Sequence, residues 1–127
     1  MTTEQWMTIK HFTYREFVSP DTGEENMDYR MVHFLDIMRQ ILGFPIVITS
    51  GYRTPEYNAK IGGVADSAHL RGLAVDIKCV SSFTRWKIVN FVMNWYNGVE
   101  VRRAGIGDTF LHIDIDSSLP NPVMWTY

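Results

Sequence analysis

The sequence predicts an α+β fold: a small antiparallel sheet with helices packed on one side. Two segments place apolar residues at helical spacing, and short β-branched segments bounded by turn residues lie between and after them. The 127 residues are 46% hydrophobic, which is enough to bury a core without disulfide or metal staples. No repeat or linker divides the sequence, so we expect one domain over residues 1–127.

The first predicted helix covers residues 27–42. Gly43 follows as a C-terminal cap, and Pro45 prevents the helix from continuing. One face of this helix should be buried, because its apolar residues recur every three or four positions. They are Met31, Phe34, Leu35, Met38, Ile41 and Leu42.

Two strands are predicted next, at residues 45–50 and 73–78, because both segments are short and rich in β-branched or small apolar residues. Between them, residues 51–71 are rich in Gly, Pro, Asn and Asp, with the pair Gly62-Gly63 in the middle. About twenty residues of mostly irregular chain are unusual in a small domain. Such segments are commonly functional.

The second predicted helix begins at Ser82, which is suited to an N-cap, and ends at Gly98. Residues 101–106 and 110–115 should then form a strand pair that completes the sheet, and residues 120–127 should form a covering tail. The apolar stripe of the second helix consists of Ile88, Phe91, Val92 and Trp95.

Charge and composition favour some partners over others. The formal net charge is −2, so no overall positive field would attract nucleic acid. No signal peptide and no run of about 20 apolar residues is visible, so we expect synthesis in the cytoplasm without membrane insertion. The apolar content does not require a partner chain, which favours a monomer.

Cys79 is the only cysteine, so it forms no internal disulfide, and we expect a small buried residue beside a strand.

Two of the four histidines, His69 and His112, have neighbouring residues that suggest a metal site. His69 precedes a glycine and then Asp76 in a predicted strand, and His112 lies on a later strand. Strand alternation places His112, Asp114 and Asp116 on one face. Two imidazoles and one carboxylate form a common catalytic zinc set with a fourth position left for water.

The spacing alone leaves other interpretations open. Polar groups satisfied by hydrogen bonds on a sheet face would explain these residues equally well. His11 and His33 are interpreted as structural or surface residues. A calcium site is a further alternative, because several oxygen donors lie close together near the end of the last strand. These donors are Asp114, Asp116, Ser117 and Ser118.

Several short motifs in order along the chain resemble the zinc D-Ala-D-Ala carboxypeptidase family. That family also holds L-Ala-D-Glu endopeptidases of phage endolysins and shares its fold with the hedgehog signalling domain. The opening segment His11-Phe12-x-x-x-Glu16-Phe17 is similar as well, so the likeness covers nearly the whole chain. The other motifs are Ser50-Gly51-Tyr52-Arg53-Thr54-Pro55-Glu56-Tyr57-Asn58, Gly62-Gly63-Val64, Ser67-x-His69-x-x-Gly72-x-Ala74-x-Asp76, Gly105-Ile106-Gly107 and His112-x-Asp114.

The resemblance implies a hedgehog/DD-peptidase-like fold and a Zn²⁺ ion held by His69, Asp76 and His112. It also implies that Arg53 lies near the substrate, where its guanidinium can hold a carboxylate or carbonyl oxygen. The alternative role for Arg53 is a structural tie between the loop and the core. Ser67 would bind substrate or fix the loop that carries His69, the alternative being an ordinary turn hydroxyl.

The general base is where the sequence departs from the family pattern. Many relatives carry an acidic residue three positions before the last histidine, and here that position is Thr109. A threonine cannot accept the proton. Asp108, one residue earlier, is the favoured substitute, and Asp114 is the other candidate. Their alternative roles are a turn residue for Asp108 and a hydrogen bond to a metal ligand for Asp114.

The function implied by the resemblance is hydrolysis of a peptide bond in the peptidoglycan stem. The bond would be D-Ala-D-Ala, as in a carboxypeptidase, or L-Ala-D-Glu, as in an endopeptidase. With no visible signal peptide, a phage endolysin that reaches the cell wall after release is the expected setting. The alternative is a catalytically weak or inactive zinc-binding module of the same fold, as in hedgehog.

Overall fold

A computed structural model of the chain describes residues 1–94 and 101–127. Five strands form one sheet in the spatial order β1-β2-β4-β3-β5. Four α-helices accompany the sheet in the part of the chain that the structure describes, so the predicted α+β class is confirmed. The strands are β1 (Ile48–Ser50), β2 (Ala74–Lys78), β3 (Arg103–Ile106), β4 (Phe110–Asp114) and β5 (Val123–Thr126).

The sheet is mixed, so the prediction of a wholly antiparallel sheet is wrong at one edge. The pairs β1–β2, β2–β4 and β3–β4 are antiparallel, whereas β5 pairs with β3 in parallel. The predicted covering tail therefore contains a strand. Pro120 and Pro122 obscured it, because prolines lack the N–H of a strand ladder and sequence reasoning interprets them as loop.

The first long helix, α2 (Tyr29–Leu42), lies where the apolar spacing predicted it. The Asp28 carboxylate accepts a hydrogen bond from the Arg30 backbone N–H at the start. Gly43 ends the helix with φ 74°, a left-handed conformation that favours glycine. Ile41 is exposed, so the buried stripe is narrower than predicted. Its apolar members are Met31, Val32, Phe34, Leu35 and Met38.

Helix α4 (Ser82–Asn94) confirms the second predicted helix over the described residues. Ser81, and not Ser82, provides the N-terminal hydrogen bond, because its Oγ accepts from the Thr84 N–H at 3.1 Å. The buried residues of α4 are Ile88, Phe91 and Val92. The predicted stripe residue Trp95 and the predicted end at Gly98 lie outside the described residues.

Short helices were not predicted from the sequence. They are α1 (Thr3–Met7) near the start and α3 (Pro55–Lys60) inside the segment that was expected to be irregular. Two 3-10 turns, Tyr14–Glu16 and Ala68–Arg71, complete the helical elements. In the described part of the chain, no helix combines the length and apolar character needed to cross a membrane.

Strand alternation gives the sheet two different faces. Val75 and Ile77 of β2 and Leu111 and Ile113 of β4 belong to the hydrophobic core, together with the buried residues of α2 and α4. Cys79 is buried beside the end of β2, as predicted. Side chains that alternate with these core residues must point to the opposite face, and that face carries the polar residues described next.

Candidate metal centre

Three side chains from distant parts of the sequence meet on the polar face of the sheet. Asp76 of β2 and His112 of β4 are direct cross-strand partners. His69 comes from the 3-10 turn that precedes β2. Each residue offers one ligand atom, and these atoms all lie within 4.8 Å of one another.

His69 is positioned by the tight turn around it. Its Nδ1 donates a hydrogen bond to the Gly51 carbonyl at 2.7 Å, which leaves Nε2 facing Asp76 Oδ1 at 3.3 Å. Gly72 ends the turn with φ 68°, and a Cβ there would lie 2.0 Å from the Asn26 carbonyl oxygen. Only glycine allows this close approach of the turn to the segment before α2.

The two nitrogens of His112 have different partners. Nε2 donates to Asp114 Oδ2 at 2.8 Å, and Nδ1 lies 3.0 Å from Asp76 Oδ1. Both imidazoles are therefore held from behind, one by a backbone carbonyl and one by a carboxylate, with the other nitrogen facing Asp76. Metal-binding histidines are commonly oriented in this way.

The side chains at the centre shift one another's pKa values. Burial alone would raise the pKa of Asp76, but hydrogen bonds from His112 and His69 outweigh it and hold that pKa well below its usual value. Burial alone would lower the pKa of His112, but its hydrogen bonds to Asp114 and Asp76 outweigh that effect and raise the pKa. The converging donors are two nitrogens and one carboxylate oxygen, a set that fits Zn²⁺.

Arg53 contacts the outer side of Asp76. Its Nη2 donates to Asp76 Oδ2 at 2.9 Å, and its Nε and Nη1 donate to Ser50 Oγ and Asn58 Oδ1. Asp76 Oδ1 faces the two histidines, so Arg53 fixes which oxygen is turned toward the centre. Arg53 also lines the pocket above the centre, and its contact with a substrate stays a prediction.

A family model described as Peptidase M15 matches residues 10–114. The chain belongs to the peptidase M15 family. Peptidases of this family are zinc-dependent, so the chain is a zinc metallopeptidase, and the converging His-Asp-His group is where the ion would bind. No curated protein matches the chain.

The two general base candidates, Asp108 and Asp114, differ in their exposure to solvent. Asp108 lies exposed in the turn between β3 and β4 and is not among the residues that line the pocket. Asp114 is fully buried and accepts hydrogen bonds from His112 and Arg103. Thr109, at the position where many relatives have an acid, lines an adjoining cavity with Arg53. The base role of either aspartate stays a prediction.

Ser67 of the M15 domain is buried, and its Oγ accepts from the His69 backbone N–H at 3.3 Å. This hydrogen bond ties down the turn that carries the ligand. Ser67 also lines the pocket, so a substrate contact stays a prediction.

The oxygen donors proposed for calcium are engaged in protein contacts. Asp116 Oδ2 accepts from Arg71 Nε at 2.7 Å, and its other oxygen accepts from the Ser118 backbone N–H at 2.9 Å. Asp114 is held by Arg103 and His112, as described above. The carboxylate oxygens of Asp114 and Asp116 therefore accept hydrogen bonds from arginine, histidine and backbone N–H donors, and a calcium ion is not needed to explain them.

His11 and His33 lie away from the metal centre of this M15 peptidase. His33 is exposed on α2 and stacks against Tyr29. His11 lies near the start of the chain, and its Nε2 is 2.7 Å from Gln40 Oε1. Both positions fit the structural or surface roles expected for them.

The pocket above the metal centre has a volume of about 450 Å³. One wall consists of the segment that carries Arg53 and Ser67. The opposite wall contains Trp125 and Tyr127, which sequence reasoning missed. The sequence did contain a signal for this wall. Trp125 and Tyr127 are two residues apart, which places both side chains on one face if the segment is a strand.

Proposed function

We propose that this M15 peptidase hydrolyses a peptide bond in the stem peptide of bacterial peptidoglycan. The observation that carries the proposal is the convergence of His69, Asp76 and His112 at the floor of an open pocket in a domain of this family. When bound there, zinc supplies a Lewis acid that polarises a carbonyl oxygen and lowers the pKa of water to about 7.

The protein's own residues would contribute orientation and charge. The Gly51 carbonyl and the Asp114 carboxylate hold the two imidazoles in fixed orientations. The Arg53 guanidinium provides positive charge at the pocket wall, where it can stabilise a developing oxyanion or hold a substrate carboxylate. A carboxylate must accept the proton of the attacking water, and Asp108 and Asp114 remain the candidates.

The shape of the cleft favours cleavage within a stem peptide over removal of its last residue. A second cavity of about 490 Å³ adjoins the metal pocket, and both are lined by Arg53, Asp76 and Phe110. A substrate could therefore extend to both sides of the metal centre. This supports an L-Ala-D-Glu endopeptidase, with D-Ala-D-Ala carboxypeptidase activity as the alternative.

A phage endolysin is the proposed setting, with synthesis in the cytoplasm and access to the cell wall after release. The likeness of the motifs to a family that includes phage endolysins supports it. Lysis of a bacterial culture that expresses the chain together with a membrane-permeabilising holin, but not of one that expresses either alone, would test this setting.

Digestion of purified peptidoglycan followed by mass spectrometry would identify the bond. An endopeptidase would release fragments with a new N-terminal D-Glu, whereas a carboxypeptidase would release free D-Ala. His112→Ala should lose zinc binding and hydrolysis together, and His33→Ala, on the exposed face of α2, should retain both. Full activity of the His112 variant would refute the proposed site.

A weakly active zinc-binding module is the second candidate, and Thr109 favours it because this position lacks the acid of many relatives. A protein that holds one zinc ion per chain and leaves every stem peptide intact would support this candidate over the first.

A further inference from the structure

The last strand of the chain builds one wall of the metal pocket. β5 lies parallel to β3, with Trp125 opposite Gly105 in the register. The Tyr127 backbone N–H continues this pairing by donating to the Ile106 carbonyl at 3.3 Å. The family match ends at residue 114, so this wall lies beyond the matched region.

Trp125 is fitted closely against the strand that it covers. A Cβ at Gly105 would lie 2.6 Å from the Trp125 indole, so a glycine is needed to seat the ring. The indole also contacts two side chains at the metal centre. Its centroid lies 5.5 Å from that of the His112 ring, and the Arg103 guanidinium lies 5.2 Å from the indole centroid. Trp125 therefore connects the last strand directly to a predicted metal ligand.

Tyr127 stands at the rim of the same pocket. Its ring centroid lies 4.9 Å from that of Phe110 and 6.3 Å from that of Trp125. Tyr127 is 70% exposed, so a ligand in the pocket can reach its ring. Partial desolvation by the neighbouring side chains still raises the pKa of its hydroxyl; the charges of Asp76 and Asp114 act in the same direction, whereas a hydrogen bond with Trp125 and the charge of Arg53 oppose them. The charges that act on this hydroxyl are those around the metal centre, which is consistent with its place in the pocket lining.

We propose that Tyr127 donates a hydrogen bond from its hydroxyl to the peptide carbonyl of the substrate, and that Trp125 is the surface against which the stem peptide packs. This inference rests on the proposed function. Arg53 lies on the other wall and already donates to Asp76, so Tyr127 would supply a donor from the opposite side. A phenol hydroxyl suits this position because it donates without bringing a charge into the pocket.

The chemistry of the two residues defines what they would recognise. An indole and a phenol ring offer broad apolar surface at low conformational cost. A donor aimed at a backbone carbonyl recognises any peptide, whereas the aromatic surface favours the small apolar alanine residues of a stem peptide over charged ones. The last strand would thus contribute both to catalysis and to the choice of substrate.

The test compares three zinc-loaded variants with the unaltered protein. Tyr127→Phe removes only the hydroxyl, and Trp125→Ala removes the packing surface. Tyr14→Phe is the matched control, because Tyr14 is half exposed in a 3-10 turn and does not line the pocket. Zinc content, thermal unfolding, kcat and KM on a synthetic stem pentapeptide, and binding of that peptide by calorimetry are measured for each.

We expect Tyr127→Phe to lower kcat/KM by about 10- to 100-fold, mainly through kcat, because single oxyanion donors contribute on this scale or above. Trp125→Ala should raise KM and the calorimetric Kd by about tenfold. Zinc content should be unchanged in Tyr127→Phe, and Tyr14→Phe should match the unaltered protein. Equal kcat/KM in the Tyr127 variant and the control would overturn the role of Tyr127.

The outcomes also separate this inference from the proposed function. If the unaltered protein leaves the pentapeptide intact but binds it, and Trp125→Ala weakens that binding, the packing surface is supported and the hydrolytic function fails. If the unaltered protein cleaves the peptide and neither variant differs from the control, this inference fails and the function stands. Absence of binding by any of the proteins refutes the recognition surface.

Discussion

Asp114 and His112 lie on the same strand face, two residues apart, and Asp114 Oδ2 accepts the hydrogen bond of His112 Nε2 at 2.8 Å. The other nitrogen of His112 faces Asp76. Asp114 therefore lies behind the imidazole, on the side away from the converging ligand atoms. This geometry fits a residue that orients a metal ligand. Substitutions of Asp114 and Asp108, the two general base candidates, should therefore differ in their effect on zinc affinity.

We expect Asp114→Asn to weaken zinc binding by about 10- to 100-fold, the usual effect of removing a carboxylate that orients a metal-binding histidine. Competition with a chromophoric chelator measures the zinc Kd directly. Glu4→Gln is the control, because Glu4 is exposed on α1 and does not line the pocket. Unchanged zinc affinity combined with lost hydrolysis would instead identify Asp114 as the proton acceptor.

Asp108→Asn should keep zinc affinity unchanged, since Asp108 is exposed in a turn outside the pocket lining. If its carboxylate stays in that turn during turnover, kcat should also stay within a few fold of the unaltered value. A fall of kcat by about 100-fold or more would show that the turn brings Asp108 to the substrate, because general base catalysis contributes on this scale. Steady-state kinetics on peptidoglycan fragments distinguish the two results.

The sequence predicted which three side chains converge better than the surroundings that orient them. His69, Asp76 and His112 belong to short motifs with fixed spacing, and strand alternation correctly placed His112 and Asp114 on one face. Alternation does not determine which ring nitrogen meets which oxygen, because that depends on side-chain rotamers. The role of Gly51 is also invisible in the sequence, since any residue has a backbone carbonyl.

The fold shows the same division between local and long-range information. Helix α2 was predicted because its apolar spacing, its terminal Gly43 and the following Pro45 all agree locally. Strand β5 was missed because its partner β3 lies about twenty residues earlier, and parallel pairing is absent from local patterns. The wall formed by Trp125 and Tyr127 follows from that pairing, so it could not be predicted from the last segment alone.

Gly72→Ala should disrupt both stability and metal binding. The left-handed φ of 68° costs an alanine about 1–2 kcal/mol, and its Cβ would lie 2.0 Å from the Asn26 carbonyl oxygen. The turn that carries His69 must then move. Gly23→Ala is a matched control, since Gly23 has φ 73° and open space around it. Chemical denaturation and zinc titration should show a larger loss of stability in Gly72→Ala and a loss of zinc affinity in that variant alone.

Bound zinc should raise the free energy of unfolding. The three ligand atoms converge only in the folded chain, so an ion that binds them adds its binding free energy to the free energy of unfolding. At free zinc about 1,000-fold above Kd, the gain is about 4 kcal/mol. Thermal unfolding of chelator-treated protein, with and without added zinc, measures it.

The same experiment on His112→Ala tests whether the gain arises at this centre. Removing His112 leaves two ligand atoms, which cannot fill a tetrahedral site with one open position, so added zinc should no longer raise the unfolding temperature. His11→Ala retains the complete centre and should respond as the unaltered protein does, because His11 bonds to Gln40 away from the pocket. An equal zinc response in all three proteins would place the binding ion elsewhere in the chain.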